Sequence, residues 1–218
     1  MGDTQAIGVA YRDQDLARSR ITDPQFVLTG LSTPTTPLTG NETLPLNQSG
    51  TTKQTTVDQI FTASHYGMFQ DNNTQTNVGI GLVPPTGNIM LIRTTDFAQG
   101  VSIASNSRIT IARAGVYNIQ FSSQFSRAGG GGGLSTVDVW LMKNGVNIAE
   151  TNTQLAINTN GGKAVAAWNW LVQSAINDYY QIQWYSSDAN VEMWYSAAGT
   201  NPVRPEIPSV IVTVTQVA

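Results

Sequence analysis

The chain has 218 residues, no cysteine, 11 Lys and Arg against 14 Asp and Glu, and a formal net charge of −3. Without cysteine it can form no disulfide, no thiol nucleophile and no zinc site built on thiolates. Only 11% of its residues are charged and the cations are scattered, so the composition argues against a nucleic-acid partner and favours a neutral polar surface that can pack against protein.

The first residues, MGDTQAIGVAYRDQDL, contain neither a basic start nor an apolar segment, so they predict no secretory signal. No apolar run in the chain approaches the ~20 residues that span a bilayer, and we therefore expect no membrane insertion. The protein is expected to fold in the cytoplasm and to leave it, if at all, as part of a larger assembly.

Residues 1–30 are predicted to be an anchoring arm that a partner orders. Isolated apolar residues alternate there with charged ones, a pattern that fits neither a long helix nor a strand pair. An unordered terminus is the alternative interpretation. The side chains expected to contact the partner are Tyr11, Arg12, Leu16, Arg18, Arg20 and Phe26.

Residues 31–62 are predicted to form a small β connector rich in Thr and Ser. Residues 42–47 and 51–57 are expected to pair as two short strands, and a threonine at the end of the second would cap a short helical turn through residues 58–61. Such a unit is too small to be stable alone. We therefore expect it to need neighbours, which an oligomer would supply.

From residue 63 to residue 218, short alternating strands predict an all-β domain. In GVYNIQFSSQFS, for example, Tyr117, Ile119 and Phe121 fall on one face, and Asn144-Gly145 is a strong turn signal after a later strand. About ten antiparallel strands over ~150 residues favour a jelly-roll β-sandwich. The predicted strands are residues 65–70, 77–83, 88–94, 107–112, 115–126, 136–146, 164–172, 178–187, 191–195 and 209–217.

The residue pattern predicts no catalytic site, cofactor or metal. His65 is the one histidine, and a structural or surface role is favoured over a Ser-His-Asp arrangement. Asp71-Asn-Asn and the Asp188–Glu192 segment match no EF-hand spacing, so ordinary turn chemistry explains them better than calcium. The run Gly129–Gly133 lacks the ending of a phosphate-binding loop and is predicted to be a hairpin loop. No particular pair of carboxylates suggests glycoside hydrolysis.

Aromatic residues crowd the last third of the chain. By strand alternation Trp168 and Trp170 share a face, whereas Trp184 and Tyr185 cannot. Outward aromatic side chains commonly lie in a subunit interface or stack on sugar rings, and we favour the interface. The residues predicted at that interface are Tyr117, Trp168, Trp170, Tyr179, Trp184 and Trp194.

Residues 65–218 resemble the jelly roll of the tumour-necrosis-factor and complement type, and more closely the version found in structural proteins of tailed bacteriophages. Three motifs in this order are characteristic: Ala114-Gly115-Val116-Tyr117, Lys143-Asn144-Gly145 and Asn177-Asp178-Tyr179. The complement-type pattern has Gly-Asp where this chain has Asn177-Asp178, a mild departure. The connector sequence is similar to a short module of phage fibre and appendage proteins. The longer stretches that carry the resemblance are SRITIARAGVYNIQFSSQFSR, VDVWLMKNGV, AAWNWLVQSAINDYYQIQWYSSDANVEM and RPEIPSVIVTVTQV.

The resemblance implies a homotrimeric virion protein with no family-wide catalytic residues. We expect a capsid decoration (cement) or head-fibre protein, assembled in the host cytoplasm, whose arm binds the major capsid protein or another virion protein. The alternative is a tail-fibre or appendage protein that binds a host receptor or surface glycan. A polysaccharide hydrolase is a weaker third hypothesis.

Overall fold

The structure is a computed structural model, and it describes residues 43–48, 51–56, 64–129, 133–158 and 161–218. The chain divides into two compact units, Met1–Thr62 and Ala63–Ala218. The predicted arm with its contact residues lies outside the described residues, as does the helical turn predicted at residues 58–61. Within the described ranges, no helix is both long and apolar enough to cross a membrane.

The described part of the first unit is an antiparallel hairpin of β1 (Thr43–Gln48) and β2 (Thr51–Thr56). Its register places Leu46 opposite Lys53 and Gln48 opposite Thr51. Threonines favour extended backbone because their branched Cβ fits a pleated strand. The predicted pairing of the two connector strands is therefore confirmed.

In the residues that the structure describes, the second unit is built from β-strands apart from one short 3-10 helix, Gly79–Gly81. The strands are β3 (Tyr66–Asp71), β4 (Gln75–Thr76), β5 (Asn88–Ile89), β6 (Thr94–Gln99), β7 (Val101–Ala104), β8 (Arg108–Ile111), β9 (Gly115–Arg127), β10 (Ser135–Lys143), β11 (Val146–Asn147), β12 (Thr153–Ile157), β13 (Lys163–Ser174), β14 (Tyr179–Tyr185), β15 (Val191–Met193), β16 (Gly199–Thr200), β17 (Val203–Arg204) and β18 (Val210–Gln216).

Two antiparallel sheets form the sandwich. One has the order β12–β10–β14–β8–β7, and the other β13–β9–β18–β3–β6. When the main strands β3, β8, β9, β10, β12, β13, β14 and β18 are counted in chain order, the sheets read 2–7–4–5 and 1–8–3–6. This alternation between sheets is the jelly-roll arrangement. The predicted fold class is confirmed.

The core lies between the two sheets and is filled by every second residue of the long strands. Each fully buried large apolar side chain contributes about 1.5–3 kcal/mol relative to exposure. The alternation predicted from the sequence is therefore the main source of stability. The largest fully buried side chains are Trp184, Tyr117, Tyr180, Phe69, Phe121 and Phe125.

Two of the motifs that carry the family resemblance contact each other at one end of the sandwich. Lys143, at the end of β10, places Nζ 2.7 Å from Asp178 Oδ2. Asn144 donates from Nδ2 to Asp178 Oδ1 at 2.8 Å, and its Oδ1 accepts the Tyr179 N–H at 2.9 Å. The Ala175 N–H also donates to Asp178 at 2.7 Å. These contacts fix the turn after β10 against the turn before β14.

Replacing Asp178 with asparagine is expected to lower the free energy of unfolding by about 2–3 kcal/mol at pH 7. Burial opposes ionisation, but hydrogen bonds from Lys143, Asn144 and the Ala175 N–H outweigh it and lower the pKa of Asp178 from 3.8 to about 2. Stability from a lowered pKa is complete above the unfolded value and is lost as the pH falls through the folded value. The gap between wild type and variant in denaturant titrations should therefore shrink from pH 4 to pH 2. A gap independent of pH would contradict this account.

A second buried ion pair holds the strand ends on either side of the glycine run. Arg127, the last residue of β9, donates from Nε to Asp188 Oδ2 at 2.6 Å and from its guanidinium to the Gly133 carbonyl at 2.9 Å. Ser135, the first residue of β10, donates to the same Asp188 oxygen at 2.7 Å. The hydrogen bond from Ser135 is the largest of several that hold the pKa of Asp188 well below its usual range. Residues 130–132 of the predicted loop lie outside the described residues.

The prediction of a strand over residues 77–83 is wrong, because the chain forms the 3-10 helix and folds back on itself there. The Gly79 N–H donates to Asn88 Oδ1 at 2.7 Å, and the Gly79 carbonyl accepts from the Thr86 N–H at 3.0 Å. A Cβ on Gly79 would lie 2.0 Å from the Thr86 carbonyl oxygen, so only glycine permits this approach. The strand predicted over residues 88–94 is likewise reduced to Asn88–Ile89, and β6 begins at Thr94.

Candidate subunit interface

The outer side of the β13–β9–β18–β3 sheet is a broad surface without charge, which we call the neutral face. Residues 165–173, 116–124, 211–215 and 66–70 contain no Asp, Glu, Lys or Arg. Because alternate residues of each strand point inward to the core, the remaining ones form this surface. Its outward side chains are Val165, Ala167, Asn169, Leu171, Gln173, Val116, Asn118, Gln120, Ser122, Gln124, Ile211, Thr213, Thr215, Tyr66, Met68 and Gln70.

A shallow depression of about 250 Å³ lies in the middle of the neutral face. The depression forms where the outward side chains of β9 and β13 are short, since Ser122 lies opposite Ala167. On the other neighbouring strand, Ser122 lies opposite Ile211. Larger side chains surround these positions, so the surface has a recess into which a protruding group could fit. The lining residues are Gln120, Phe121, Ser122, Ala167, Ile211 and Thr213.

Apolar side chains are exposed on both flanks of the neutral face. On β13, Val165 and Leu171 are 57% and 67% exposed. On the other flank, Tyr66 of β3 packs against Phe97 of β6, with ring centroids 6.0 Å apart and planes at 61°. Phe97 is itself 57% exposed. Contact with another protein would remove these groups from water, which is favourable in proportion to the apolar area covered.

Charged side chains lie at two borders of the neutral face: at the end where β9 reaches Arg127, and along β6, which flanks β3. Lys163 places Nζ 3.0 Å from the centroid of the Trp194 ring. Glu192 accepts a hydrogen bond from Ser126, and Asp96 accepts one from Gln70. A partner could therefore cover the centre of the face without burying an ionised group, which would be costly.

Strand β13 forms the edge of this sheet. It pairs with β9 along its 12 residues, and no other described strand pairs with its outer side. An edge strand presents unpaired N–H and C=O groups to a neighbouring chain. Trp168 and Trp170 project inward from it and pack on Phe121, with centroid distances of 4.7 and 5.0 Å. Both indoles remain half-buried, so this edge is a second surface suited to contact.

The residues predicted at the interface do not form one surface. Tyr117 and Trp184 are fully enclosed in the core of their own chain, so we remove them from the predicted interface. Each belongs to the alternate set of its strand that points into the core, whereas the residues next to it in the strand point outward. Trp168 and Trp170 lie at the β13 edge. The remaining two are half-buried elsewhere: Tyr179 on the outer side of the other sheet, with Arg108 4.7 Å from its ring centroid, and Trp194 beneath Lys163.

The sequence reasoning missed the aliphatic and small residues of the neutral face. In KAVAAWNWLVQS both alternating sets contain apolar residues, and the prediction chose the set that contains the two tryptophans. The other set, which contains Val165, Ala167 and Leu171, is the outward one. The signal that could have found it is the absence of charge over residues 165–173, 116–124 and 211–215 together.

The carboxylates that are most buried in the described residues are occupied in ion pairs. Asp71 accepts two hydrogen bonds from Arg93, at 2.8 and 2.6 Å, and Asp178 and Asp188 are paired as described above. In the described ranges no group of three His, Cys, Asp or Glu side chains is placed to hold a metal ion. The second unit is suited to contact with the surface of another protein, since the neutral face and the β13 edge expose neutral side chains and a strand edge that pairs with no other described strand.

No protein-family model and no curated protein matches the chain. Two solved structures that are similar to it are crystal structures of murine APRIL at pH 5.0 and at pH 8.0. They are 9% and 7% identical to the chain, with TM-scores of 0.43 and 0.42. Each is covered over its full length and matches 71% of this chain. The jelly-roll assignment rests on the strand order of the chain itself.

Proposed function

We propose that the protein is a non-enzymatic structural protein of a phage virion, a capsid decoration or head-fibre protein that assembles as a homotrimer. Its arm, residues 1–30, would bind the major capsid protein or another virion protein. The observation that carries the proposal is the neutral face, a broad surface free of charge that is flanked by exposed apolar groups. The resemblance of the sequence to phage structural proteins supports the assignment to a virion and the expectation of three subunits.

The two candidate contact surfaces of the second unit, the neutral face and the β13 edge, are compatible with a ring of subunits. The neutral face and the β13 edge differ from each other, so one can contact the other in a head-to-tail manner. Such heterologous contacts generate closed rings when the rotation between subunits closes. In a threefold ring, the β13 edge of each copy would lie against the neutral face of the next.

Deleting residues 1–30 is expected to abolish saturable binding of the protein to purified capsids, because the proposed anchor is removed. Co-sedimentation of full-length and shortened protein with capsids measures this. In the full chain, Tyr11→Ala with Phe26→Ala should weaken binding as well, which separates loss of the anchor from any effect of truncation. Light scattering should give the same number of chains per assembly for the full-length protein and for each variant.

Two results would count against this assignment. Capsid binding that is indifferent to the arm would place the anchor elsewhere in the chain. Binding to host cells but not to capsids would favour the alternative, a tail-fibre or appendage protein that recognises a receptor or surface glycan.

A further inference from the structure

The outer side of the other sheet carries a compact group of aromatic and hydrogen-bonding side chains near the middle of β10. We call it the Trp140 platform, and it is separate from the neutral face because it lies on the opposite side of the sandwich. Its members are Asp138 and Trp140 of β10, Gln154 of β12, and Gln183 and Tyr185 of β14.

The register brings these side chains together. Asp138 lies between Gln154 on one neighbouring strand and Tyr185 on the other. Trp140 lies opposite Gln183. Directly opposed residues have Cβ atoms ~5 Å apart, and alternate residues along a strand are ~7 Å apart. The five positions therefore share one patch whose size suits one or two sugar rings.

The indole of Trp140 is held in place by contacts from opposite sides of β10. Its Nε1 donates to Asn147 Oδ1 of β11 at 2.9 Å. The six-membered ring of the indole packs on Gly87, beyond β14, so closely that a Cβ on Gly87 would lie 2.6 Å from Trp140 Cη2. Because β11 and Gly87 flank β10 and β14, the ring is fixed between them, and Trp140 remains partly exposed. A ring fixed in this way loses little conformational entropy when a ligand stacks on it.

The polar members of the platform are arranged around a single carboxylate. Asp138 Oδ1 accepts from Gln154 Nε2 and from Asn152 Nδ2, each at 3.2 Å, and these bonds are exposed to solvent. Gln183 donates weakly to the Gly87 carbonyl at 3.5 Å. Carboxylate and amide groups have spare acceptor and donor capacity in this arrangement. They can therefore exchange solvent for the hydroxyl groups of a ligand.

The charged groups in and near the Trp140 platform indicate which class of ligand it could bind. The platform holds one carboxylate and no Lys or Arg, and Arg108, a cation on the same outer side, lies over Tyr179 toward the far end of β14. An anionic ligand would meet the Asp138 carboxylate without a compensating cation. A neutral ligand with many hydroxyl groups and an apolar ring face fits the platform. Its ring can stack on the aromatic side chains, and its hydroxyl groups can bond to the carboxylate and the amides.

We propose that the Trp140 platform is a binding site for a neutral oligosaccharide, with a sugar ring stacked on the Trp140 indole beside Tyr185. The Asp138 carboxylate accepts hydrogen bonds from the sugar hydroxyls, and the amides of Gln154 and Gln183 exchange further hydrogen bonds with them. The site does not depend on the proposed virion role or on the subunit contact, because it uses the other sheet.

Affinity electrophoresis of the full chain tests the site with dextran, soluble starch and galactomannan dissolved in the gel, and titration with maltohexaose and chitotetraose gives the affinities. We expect retardation by at least one of these neutral polymers, and Trp140→Ala should weaken the affinity at least tenfold. Asp138→Asn and Gln154→Ala, at positions with solvent-exposed bonds, should each weaken it several-fold without affecting folding.

Trp194→Ala is the matched control, because it removes another half-buried tryptophan that lies outside the platform, and it should leave the affinity unchanged. Trp140→Phe should retain part of the binding. Absence of binding to every neutral carbohydrate tested would overturn the proposal. So would equal binding by wild type and Trp140→Ala. A monomeric mass in solution would contradict the proposed trimer but would leave this site untouched.

Discussion

Replacing Ser122 with arginine is expected to convert the proposed trimer into a monomer. Ser122 lies in the floor of the depression at the centre of the neutral face, between Ala167 and Ile211. In a single chain the new side chain would extend into solvent, so the fold should persist. In the assembly it would bury a guanidinium without a partner at each contact, which costs several kcal/mol per contact. The mass by light scattering should therefore fall from three chains to the 23.4 kDa of one.

The matched control for this experiment is Ser102→Arg, the same change at an exposed position of β7 in the other sheet. It should leave the mass unchanged. Circular dichroism and thermal unfolding of both variants would show that neither change disrupts the sandwich. A Ser122→Arg protein with the mass of the wild type, at protein concentrations near 1 μM, would exclude the neutral face as the contact surface.

Replacing Asp188 with alanine is expected to destabilise the protein by about 3–5 kcal/mol, because it leaves the buried Arg127 guanidinium without its counter-charge. Arg127 keeps its hydrogen bond to the Gly133 carbonyl, but that neutral acceptor does not offset the charge. Ser135 also loses its acceptor. Both strand ends beside the glycine run are therefore weakened by one substitution.

Urea unfolding at pH 7 and at one fixed protein concentration measures this loss, since association would otherwise change the apparent stability. Asp96→Ala is the control, because Asp96 is exposed and accepts a hydrogen bond from Gln70 across the sheet surface. It should change the free energy of unfolding by no more than about 0.5 kcal/mol. A loss below about 1 kcal/mol for Asp188→Ala would mean that the ion pair adds little to the fold.

The long strands of the sandwich could be predicted because their sequences alternate between apolar and polar residues. In β9, β10 and β14 one alternate set is buried except at strand ends, and the other is mostly half-buried or exposed. Asn144-Gly145 marked the turn after β10, where Asn144 and Gly145 both adopt positive φ. These local patterns depend on neighbouring residues alone and so can be recognised without knowledge of the fold.

Strands β6 and β7 both escaped prediction, and for β6 the reason is that its pairing is set by a distant partner, β3. The sequence TTDFAQ has no buried alternate set, and its residues are mostly exposed. It becomes a strand because it lies at the edge of the sheet beside β3, where backbone hydrogen bonds suffice. Conversely, residues 77–83 are apolar enough for a strand, but close contact between Gly79 and Thr86 holds them in a loop.

The position of the aromatic residues could be predicted only in part. Alternation correctly indicates that Trp168 and Trp170 share a face and that Trp184 and Tyr185 do not. It does not indicate which face is directed to the core, because that depends on the sheet packed opposite. Trp140 drew no prediction at all, since its surroundings come from β11 and from Gly87, which are brought to it by the fold.

Because β18 lies in the middle of its sheet, the neutral face cannot form before this strand is in place. This strand lies between β9 and β3, and it supplies Ile211, Thr213 and Thr215 to the middle of the surface. A ribosome adds residues at roughly 5–20 per second and releases β18 after every other strand of the sandwich. A growing or truncated chain therefore lacks the surface that we propose for self-association. In the proposed trimer, only chains that include β18 could contribute this surface.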